Sequence, residues 1–392
     1  MKARFQSLWD RLFYKPEPLK PGIYQKTISN EGKPPFRVHL RIEKDGRGIL
    51  VLNAKTVLHL NQTAAEYALL MIHESSNDVV AQAIEKRYRI TRDEALSDYQ
   101  KFVDQLEVLR TTPDLDPEIF LDIDRVEPGS EALSAPLRLD CALTYQTSSG
   151  LWDGIAPTRS VARNLDTEEW KSILQKAWDN GIPHVVFTGG EPTLRPDLLE
   201  LVQFSQNLGQ VTGLITDGMH LTEKEYLDNL LLAGLDHLML VLDPGESTVW
   251  EALRDAMVED LSVSIHFTLS ARNMDKLSAI LDHIAQYGQP QISLSANSTE
   301  SRAYLPAAQR IVAEHGFTLV WGLPVPYSAA NPIRLELEQA EQTVGGPGSL
   351  WLYVEPDGDV LRGQGIQPVL GNFLVSPFDE IWAAANRLEK QE

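Results

Sequence analysis

Apolar and polar positions follow one period early in this chain and another soon after, and the change divides it into regions. From residue 37 to residue 60 the period is two. RVHLRI alternates, a GR turn leads to GILVLN, and AK leads to TVLHL, which predicts three short strands. The period then lengthens to that of a helix. Ala65, Leu69 and Ile72 form one apolar stripe, Val80, Ala83 and Ile84 a second, and Leu96, Tyr99, Val103 and Leu106 a third. Near the start of each stripe a Ser or Thr stands three positions before an acid: Thr63 and Glu66, Ser75 and Asp78, Thr91 and Glu94. That is the capping-box pattern of a helix start. Three strands and three helices over residues 20–110 predict a winged-helix-like α+β domain. Residues 111–136, rich in Pro, Asp and Glu and without sustained periodicity, predict a linker.

From residue 137 apolar strands alternate with helical segments. LRLDCAL, HVVFTGG, VTGLITDG, HLMLVLD, SVSIHFTL, QISLSA and TLVWGL predict strands. Residues 167–180, 197–208, 223–233 and 275–287 predict helices between them. This alternation means a parallel sheet, and so many units predict an α/β fold with a full or partial (β/α) barrel over residues 137–330. A doubly wound open sheet is the rival, but no Gly-rich turn follows the first strand, so dinucleotide binding is unsupported. Neither a P-loop nor a G-x-S-x-G elbow occurs. In the remainder, residues 331–392, Pro356-Asp357-Gly358 predicts a hairpin turn.

Composition narrows the function classes. With 43% hydrophobic and 23% charged residues the 392-residue chain is ordinary for a globular protein of two or three domains. A formal charge of −20 argues against general nucleic-acid binding, which needs clustered Lys and Arg. The third helix carries Asp93, Glu94, Asp98, Asp104 and Glu107 against Arg92 and Lys101, so a DNA groove would repel it. No apolar run is long enough to span a membrane, and no signal-peptide core opens the chain, so a cytoplasmic location is expected. Phe5, Leu8, Trp9, Leu12 and Phe13 fall on one face of a short helix expected to dock on the protein body. The single cysteine, Cys141, excludes an internal disulfide and any multi-cysteine metal site.

The candidate chemistry sits at Gly189-Gly190-Glu191-Pro192, which ends the second barrel strand. Adjacent glycines allow close approach to a ligand, a carboxylate there can accept from an ammonium, and ligands of barrels sit at the carboxyl ends of strands. His184, His220, His237 and His266 lack metal-like spacing. Glu168 and Glu169 open a helix, where they complement its dipole.

VVFTGGEPTLRPDLLELVQF resembles the second strand, S-adenosylmethionine (SAM)-binding loop and helix of radical SAM proteins. LITDGMHL is similar to that family's TTNG-x-x-L segment, and HLMLVLDPGESTVWEALRDA to its fourth strand. The resemblance implies a partial (β/α) TIM-like barrel. It implies SAM contacts at Gly189, Gly190, Glu191, Pro192, Thr216, Asp217 and Asp243, and a [4Fe–4S] cluster on a C-x3-C-x2-C loop. The sequence does not support the cluster. With Leu143-Thr144-Tyr145 on the family's LTY, the cysteine positions fall on Thr147, Leu151 and Gly154, none a soft iron ligand. Cys141 lies out of register on the preceding strand. Asp153 replaces an aromatic near adenine, and Val241 replaces a polar residue of the fourth strand.

Residues 49–109 resemble the PqqD-like peptide-recognition domains. That likeness implies a leader peptide adding as a strand beside Thr56, Val57, Leu58, His59 and Leu60, and packing on the last helix, which carries Asp98 and Asp104. Residues 331–392 resemble a SPASM-like extension in which Gly363, and a position near Gly345, replace cysteines, and which holds the barrel's open end. The expectation is a cluster-free relative of peptide-maturation enzymes that binds a peptide or a partner modifying enzyme. The alternatives are an enzyme binding SAM or another small molecule without a cluster, and an active radical SAM enzyme with unusual iron ligands.

Overall fold

The computed structural model describes residues 17–28, 36–52, 56–88, 90–111, 133–148, 161, 163–223, 225–298, 300–320 and 346–389. The chain forms two compact units, Met1–Glu127 and Pro128–Glu392, divided inside the predicted linker. The stripe from Phe5 to Phe13, the middle of the linker, and Leu151, Asp153, Gly154 and Gly345 lie outside the described residues.

The first unit holds an antiparallel sheet in sequential order: β1 (Gly22–Ile28), β2 (Phe36–Ile42), β3 (Gly48–Leu52) and β4 (Thr56–Leu60). β1 and β4 are its edges. β1 is an addition to the three predicted strands. Its sequence GIYQKTI mixes apolar and polar groups on both faces, so the period-two signal is weak. Three helices follow, α1 (Gln62–Ile72), α2 (Asn77–Tyr88) and α3 (Arg92–Thr111). Val38, Leu40, Leu50 and Leu58 of the sheet bury against Ala65 and Ile84 of the helices. Gly48 permits the close contact, since a Cβ there would lie 2.7 Å from the Ala65 Cβ.

Only one predicted capping box forms. Thr91 N and Glu94 Oε2 are 2.9 Å apart, and Glu94 N donates back to Thr91 Oγ1 at 3.4 Å. α1 instead starts from Asn61, whose side chain accepts from Ala64 N at 2.9 Å. Thr63 is thus inside the helix, and Glu66 is buried beside Arg87 at 3.0 Å. At α2, Val80 N donates to Ser76 O, so the start lies one residue beyond Ser75, and Asp78 pairs with Arg92. Asn and Ser cap as well as Thr does, and the pattern cannot choose between neighbours.

The second unit is built on six parallel strands in sequence order: β5 (Arg138–Thr144), β6 (His184–Gly189), β7 (Val211–Thr216), β8 (His237–Val241), β9 (Ser262–Leu269) and β10 (Gln291–Ala296). Helices α4 (Thr167–Asp179), α5 (Leu198–Leu208), α6 (Tyr226–Ala233), α7 (Ser247–Met257), α8 (Leu277–Ile284) and α9 (Leu305–Glu314) connect or follow them. Among these six strands the order runs one way without reversal, which matches a partial (β/α) barrel rather than a doubly wound sheet. Of the predicted strand TLVWGL, the described part forms a parallel bridge from Leu319 to Ile292. Leu139, Cys141, Val185, Phe187, Leu240 and Ile265 belong to the core shared with the helices. The alternate positions face the other way and are more polar, including Asp140, Thr188, His266 and Ser293.

Residues 346–389 continue this sheet. β11 (Trp351–Val354) pairs in parallel with β5, and β12 (Asp359–Leu361) and β13 (Gly371–Asn372) follow antiparallel. α10 (Phe378–Glu389) packs Phe378, Ile381 and Trp382 into the same core. No helix among the described residues is long and apolar enough to cross a membrane.

Candidate functional site

The carboxyl ends of β5, β6 and β7 meet at the glycine pair. Gly189 has φ +119°, and a Cβ there would lie 2.3 Å from Thr144 O. At Gly190 it would lie 1.9 Å from Gln146 O. Gly190 N donates to Thr144 O at 2.5 Å and Glu191 N to Gln146 O at 2.7 Å. The close approach these glycines permit is therefore to the chain's own backbone, which ties β6 to the start of the loop after β5.

Glu191 is 1% exposed. Its Oε1 accepts from Thr193 N at 2.9 Å, Thr193 Oγ1 at 2.5 Å and Thr216 Oγ1 at 2.8 Å. Its Oε2 accepts from Asp217 N at 2.8 Å. Burial, then the Asp217 charge, pushes the Glu191 carboxyl up to about 7, against the opposing pull of these hydrogen bonds. Pro192 opens the short 3₁₀ turn Pro192–Leu194. Asp217 is 4% exposed; its Oδ1 accepts from Met219 N at 3.0 Å, while Oδ2 has no partner among the described residues. Thr188 Oγ1 is likewise buried without a partner among them. The predicted residues of β6 and β7 are thus brought together, with Glu191 turned inward and Asp217 left with acceptor capacity.

Asp243 lies apart from that group. It lines a cleft of about 700 Å³ at the carboxyl ends of β8, β9 and β10, with Val241, Thr268, Arg272 and Tyr304. Asp243 Oδ1 accepts from Gly245 N at 2.8 Å. Thr268 connects the cleft to His266, which is fully buried. His266 Nε2 lies 3.2 Å from Thr268 Oγ1 and 2.9 Å from Ser295 Oγ, and Nδ1 lies 3.0 Å from Ser293 Oγ. Burial lowers this imidazole to about 3, so it is neutral at physiological pH. The sequence singled out His266 only as a histidine without metal-like spacing; two of its partners, Ser293 and Ser295, lie on the neighbouring strand β10, where no local spacing could reveal them.

Two further features escaped the sequence. Arg195 Nη1 donates to Leu143 O at 3.1 Å and Leu165 O at 3.0 Å, and its guanidinium pairs with Asp197 at 2.7 Å. Both ends of the loop between β5 and α4 are held by this one side chain. Beside it, Tyr145 Oη donates to Glu355 Oε2 at 2.8 Å and lies 3.2 Å from Tyr353 Oη. Burial, and then the nearby Tyr353 and Glu355, hold the Tyr145 phenol far above its ordinary range.

Cys141 faces the helices from β5, fully buried, and burial followed by the Asp140 charge keeps its thiol well above the ordinary range. Thr147 is half-buried at the start of the loop. Among the described residues no three His, Cys, Asp or Glu side chains are grouped to hold a metal ion.

In the first unit Leu58 and Leu60 point into the core, and His59, half-buried, alternates with them on edge strand β4. Thr56 and Val57 belong to the same strand; their side chains lie outside the description. A separate groove of about 460 Å³ runs along α3, lined by Ser97, Gln100, Lys101, Asp104, Gln105 and Val108. Asp104 accepts from Gln100 Nε2 at 2.8 Å. Asp98 does not line the groove; its charge, secondary to burial, helps push the Tyr67 phenol up to about 12. Among the described residues no β4 side chain lines this groove, so the two predicted peptide elements do not form one cleft there.

Residues 141–261 match the family model of the radical SAM superfamily, and residues 48–110 that of coenzyme PQQ synthesis protein D (PqqD). A PqqA peptide cyclase of Streptomyces rochei is 28% identical over 285 residues, covering 65% of this chain and 77% of that protein. A PqqA peptide cyclase of Ruegeria pomeroyi is 29% identical over 231 residues; that match covers 51% of this chain and 59% of the relative. Streptococcus suis SuiB bound to precursor peptide SuiA superposes with a TM-score of 0.57 at 16% identity, covering 88% of this chain and 86% of that one. SuiB bound to S-adenosylmethionine gives 0.57 at 16%, covering 91% and 88%. At that identity the solved structures establish the shared fold.

Proposed function

We propose that this chain, a PqqD domain joined to a radical SAM domain and homologous to PqqA peptide cyclases, handles a peptide without carrying an iron–sulfur cluster. The observation that carries the reading is the donor set. The chain's one cysteine faces the hydrophobic core, and its thiol is held far from the thiolate that iron requires. The residues present do not fit the cluster, and no chemistry is routed through one. On this reading the protein is a pseudoenzyme of the peptide-modification type, a binding or partner protein rather than the catalyst. Residues 331–392 then serve as a SPASM-like remnant, whose strand β11 fills the sheet edge beside β5.

Peptide handling falls to the first unit. β4 is an edge strand, and an edge offers unpaired N–H and C=O groups to an added strand. Asp98 and Asp104 of α3 favour a peptide bearing Lys or Arg, although Lys101 shares the groove with Asp104. The test has two arms. Anaerobic reconstitution with iron and sulfide should leave the protein without iron, where a [4Fe–4S] site would hold about four per chain. The full chain, titrated with short peptides encoded beside its gene, should bind one of them. Binding should weaken in His59→Pro or Val57→Pro, whichever removes an outward N–H. Iron near four per chain that survives Cys141→Ala overturns the first arm, and binding untouched by either proline overturns the second.

The cleft beside Asp243 favours a second reading, small-molecule binding at the carboxyl ends of the barrel strands. S-adenosylmethionine is the molecule that the radical SAM match implies. Its methionyl portion has acceptors available at Asp217 and its nucleoside has the cleft. Glu191, saturated internally, would position the loop rather than touch the ligand. When bound, such a molecule would supply a sulfonium centre to the site.

A further inference from the structure

Two histidines meet at the amino ends of the barrel strands, the end opposite the glycine pair. His184 begins β6 and His237 begins β8. Val185 and Phe187 of the one strand, and Leu238 and Leu240 of the other, face the helical core, so the alternation of each strand turns its histidine to the face away from the helices. The two Nε2 atoms lie 2.6 Å apart, with ring centroids 4.8 Å apart and planes crossing at 72°. β7 runs between them: His184 pairs with Val211 of that strand, and His237 with Gly213. Gly213 makes room for the meeting, since a Cβ there would lie 2.0, 2.3 and 2.8 Å from three atoms of the His237 ring. Both histidines are half-buried, so solvent reaches them. Arg138 stands level with His184 on β5, and Asp140 takes up its charge at 2.7 Å.

We propose that His184 and His237 form a two-histidine site for a divalent late transition ion such as Zn2+ or Cu2+, which staples β6 to β8 across β7. Imidazole nitrogen is a donor these ions favour, whereas Mg2+ and Ca2+ take oxygen. At bond lengths of about 2.0–2.1 Å, two imidazole nitrogens on one ion stand about 3 Å apart, within about half an ångström of the separation here. As the pair stands, one ring donates its Nε2–H to the other. Binding needs that ring in its Nδ1–H form, a change of tautomer within a neutral imidazole. Among the described residues no third His, Cys, Asp or Glu joins them to hold an ion, so water fills the remaining positions. Barrels keep their chemistry at the carboxyl ends of the strands, which makes this a stabilising site. The inference rests on neither the peptide reading nor the small-molecule reading.

Equilibrium dialysis of the full chain against Zn2+ tests the proposal, in excess Mg2+ to occupy the oxygen donors of a chain with a formal charge of −20. About one Zn2+ per chain should be retained. His184→Asn and His237→Asn should each weaken its binding at least tenfold, because losing even a partner behind a ligand costs about 10–100-fold. His315→Asn, which changes a half-buried histidine after α9, should leave binding unchanged. In calorimetry Zn2+ should raise the melting temperature of the intact protein and of His315→Asn, and should leave that of the two pair variants where it was. Equal affinity in all four proteins places the ion elsewhere and overturns the site, as does failure to retain Zn2+ over Mg2+. Should both pair variants fail to fold, Cu2+ bound to the intact protein at one equivalent decides by electron paramagnetic resonance. Hyperfine splitting from two imidazole nitrogens supports the site, and splitting from one or none overturns it.

Discussion

Glu191 shows how burial and a neighbouring charge tie one carboxyl group's protonation to the stability of the fold. Four donors converge on a carboxyl that burial and Asp217 hold near 7. Because the folded-state value is raised above that of the unfolded chain, the folded protein holds the proton more tightly. The linked stability is therefore fully present below about pH 4.5 and declines as pH rises through about 7, by about 1.4 kcal/mol for each pH unit in that window. Chemical denaturation between pH 5 and pH 8 should show this slope, and Asp217→Asn should flatten it by removing the like charge. A slope unchanged in Asp217→Asn would mean that burial alone sets the Glu191 value. Gly190 makes the complementary prediction. A methyl group at that position meets Gln146 O at 1.9 Å, backbone against backbone. Gly190→Ala should then cost at least the roughly 1–3 kcal/mol of an overpacked core and lower the denaturation midpoint, while leaving the far-ultraviolet spectrum of the first unit unchanged.

At the scale of elements, what the sequence reveals depends on how local the cause is. The six barrel strands were legible because each is an apolar run bounded by helix, and parallel strands buried on both faces need no alternation to be recognised. β1 was not, since its alternation is mixed and its pairing with β2 fixes it as a strand. Two capping boxes failed because the true starts, at Asn61 and near Ser76, lie within two residues of the ones the pattern suggests. Thr91→Ala should therefore cost about 1 kcal/mol, the usual loss of an N-cap, whereas Thr63→Ala inside α1 should fall well below that. Equal losses, measured by urea denaturation, would show that the boundary of α1 has been misplaced. The site followed the same rule. GGEP was visible as a string, but its occupancy by residues 144–146, the Arg195 clamp and the Tyr145–Tyr353–Glu355 group depend on contacts between segments far apart in sequence.

For the second unit as a whole, residues 331–392 were expected to hold the barrel's open end, and the hydrogen bonds of the described part, residues 346–389, show how firmly that part is tied in. β11 covers β5 from Arg138 to Cys141, so without it the first barrel strand would carry an open edge. Lys176 of α4 donates to Phe373 O at 2.6 Å and Ser376 O at 2.8 Å. Leu165 N donates to Pro356 O at 2.8 Å, and Trp382 Nε1 to Leu133 O at 3.0 Å. Phe373, Ile381 and Trp382 add apolar area to the same core as Leu139 and Phe187. Each large side chain so buried contributes about 1.5–3 kcal/mol, and the net stability of a domain is only about 5–15 kcal/mol. A chain ending at residue 345 should therefore lose the cooperative unfolding of the second unit and aggregate through the exposed edge of β5. Ile381→Ala and Trp382→Ala should each lower its melting temperature without truncation. A shortened chain whose calorimetric transition matched the intact protein would show that the sheet is complete at β5, and that residues 346–389 are an accessory rather than its closing layer.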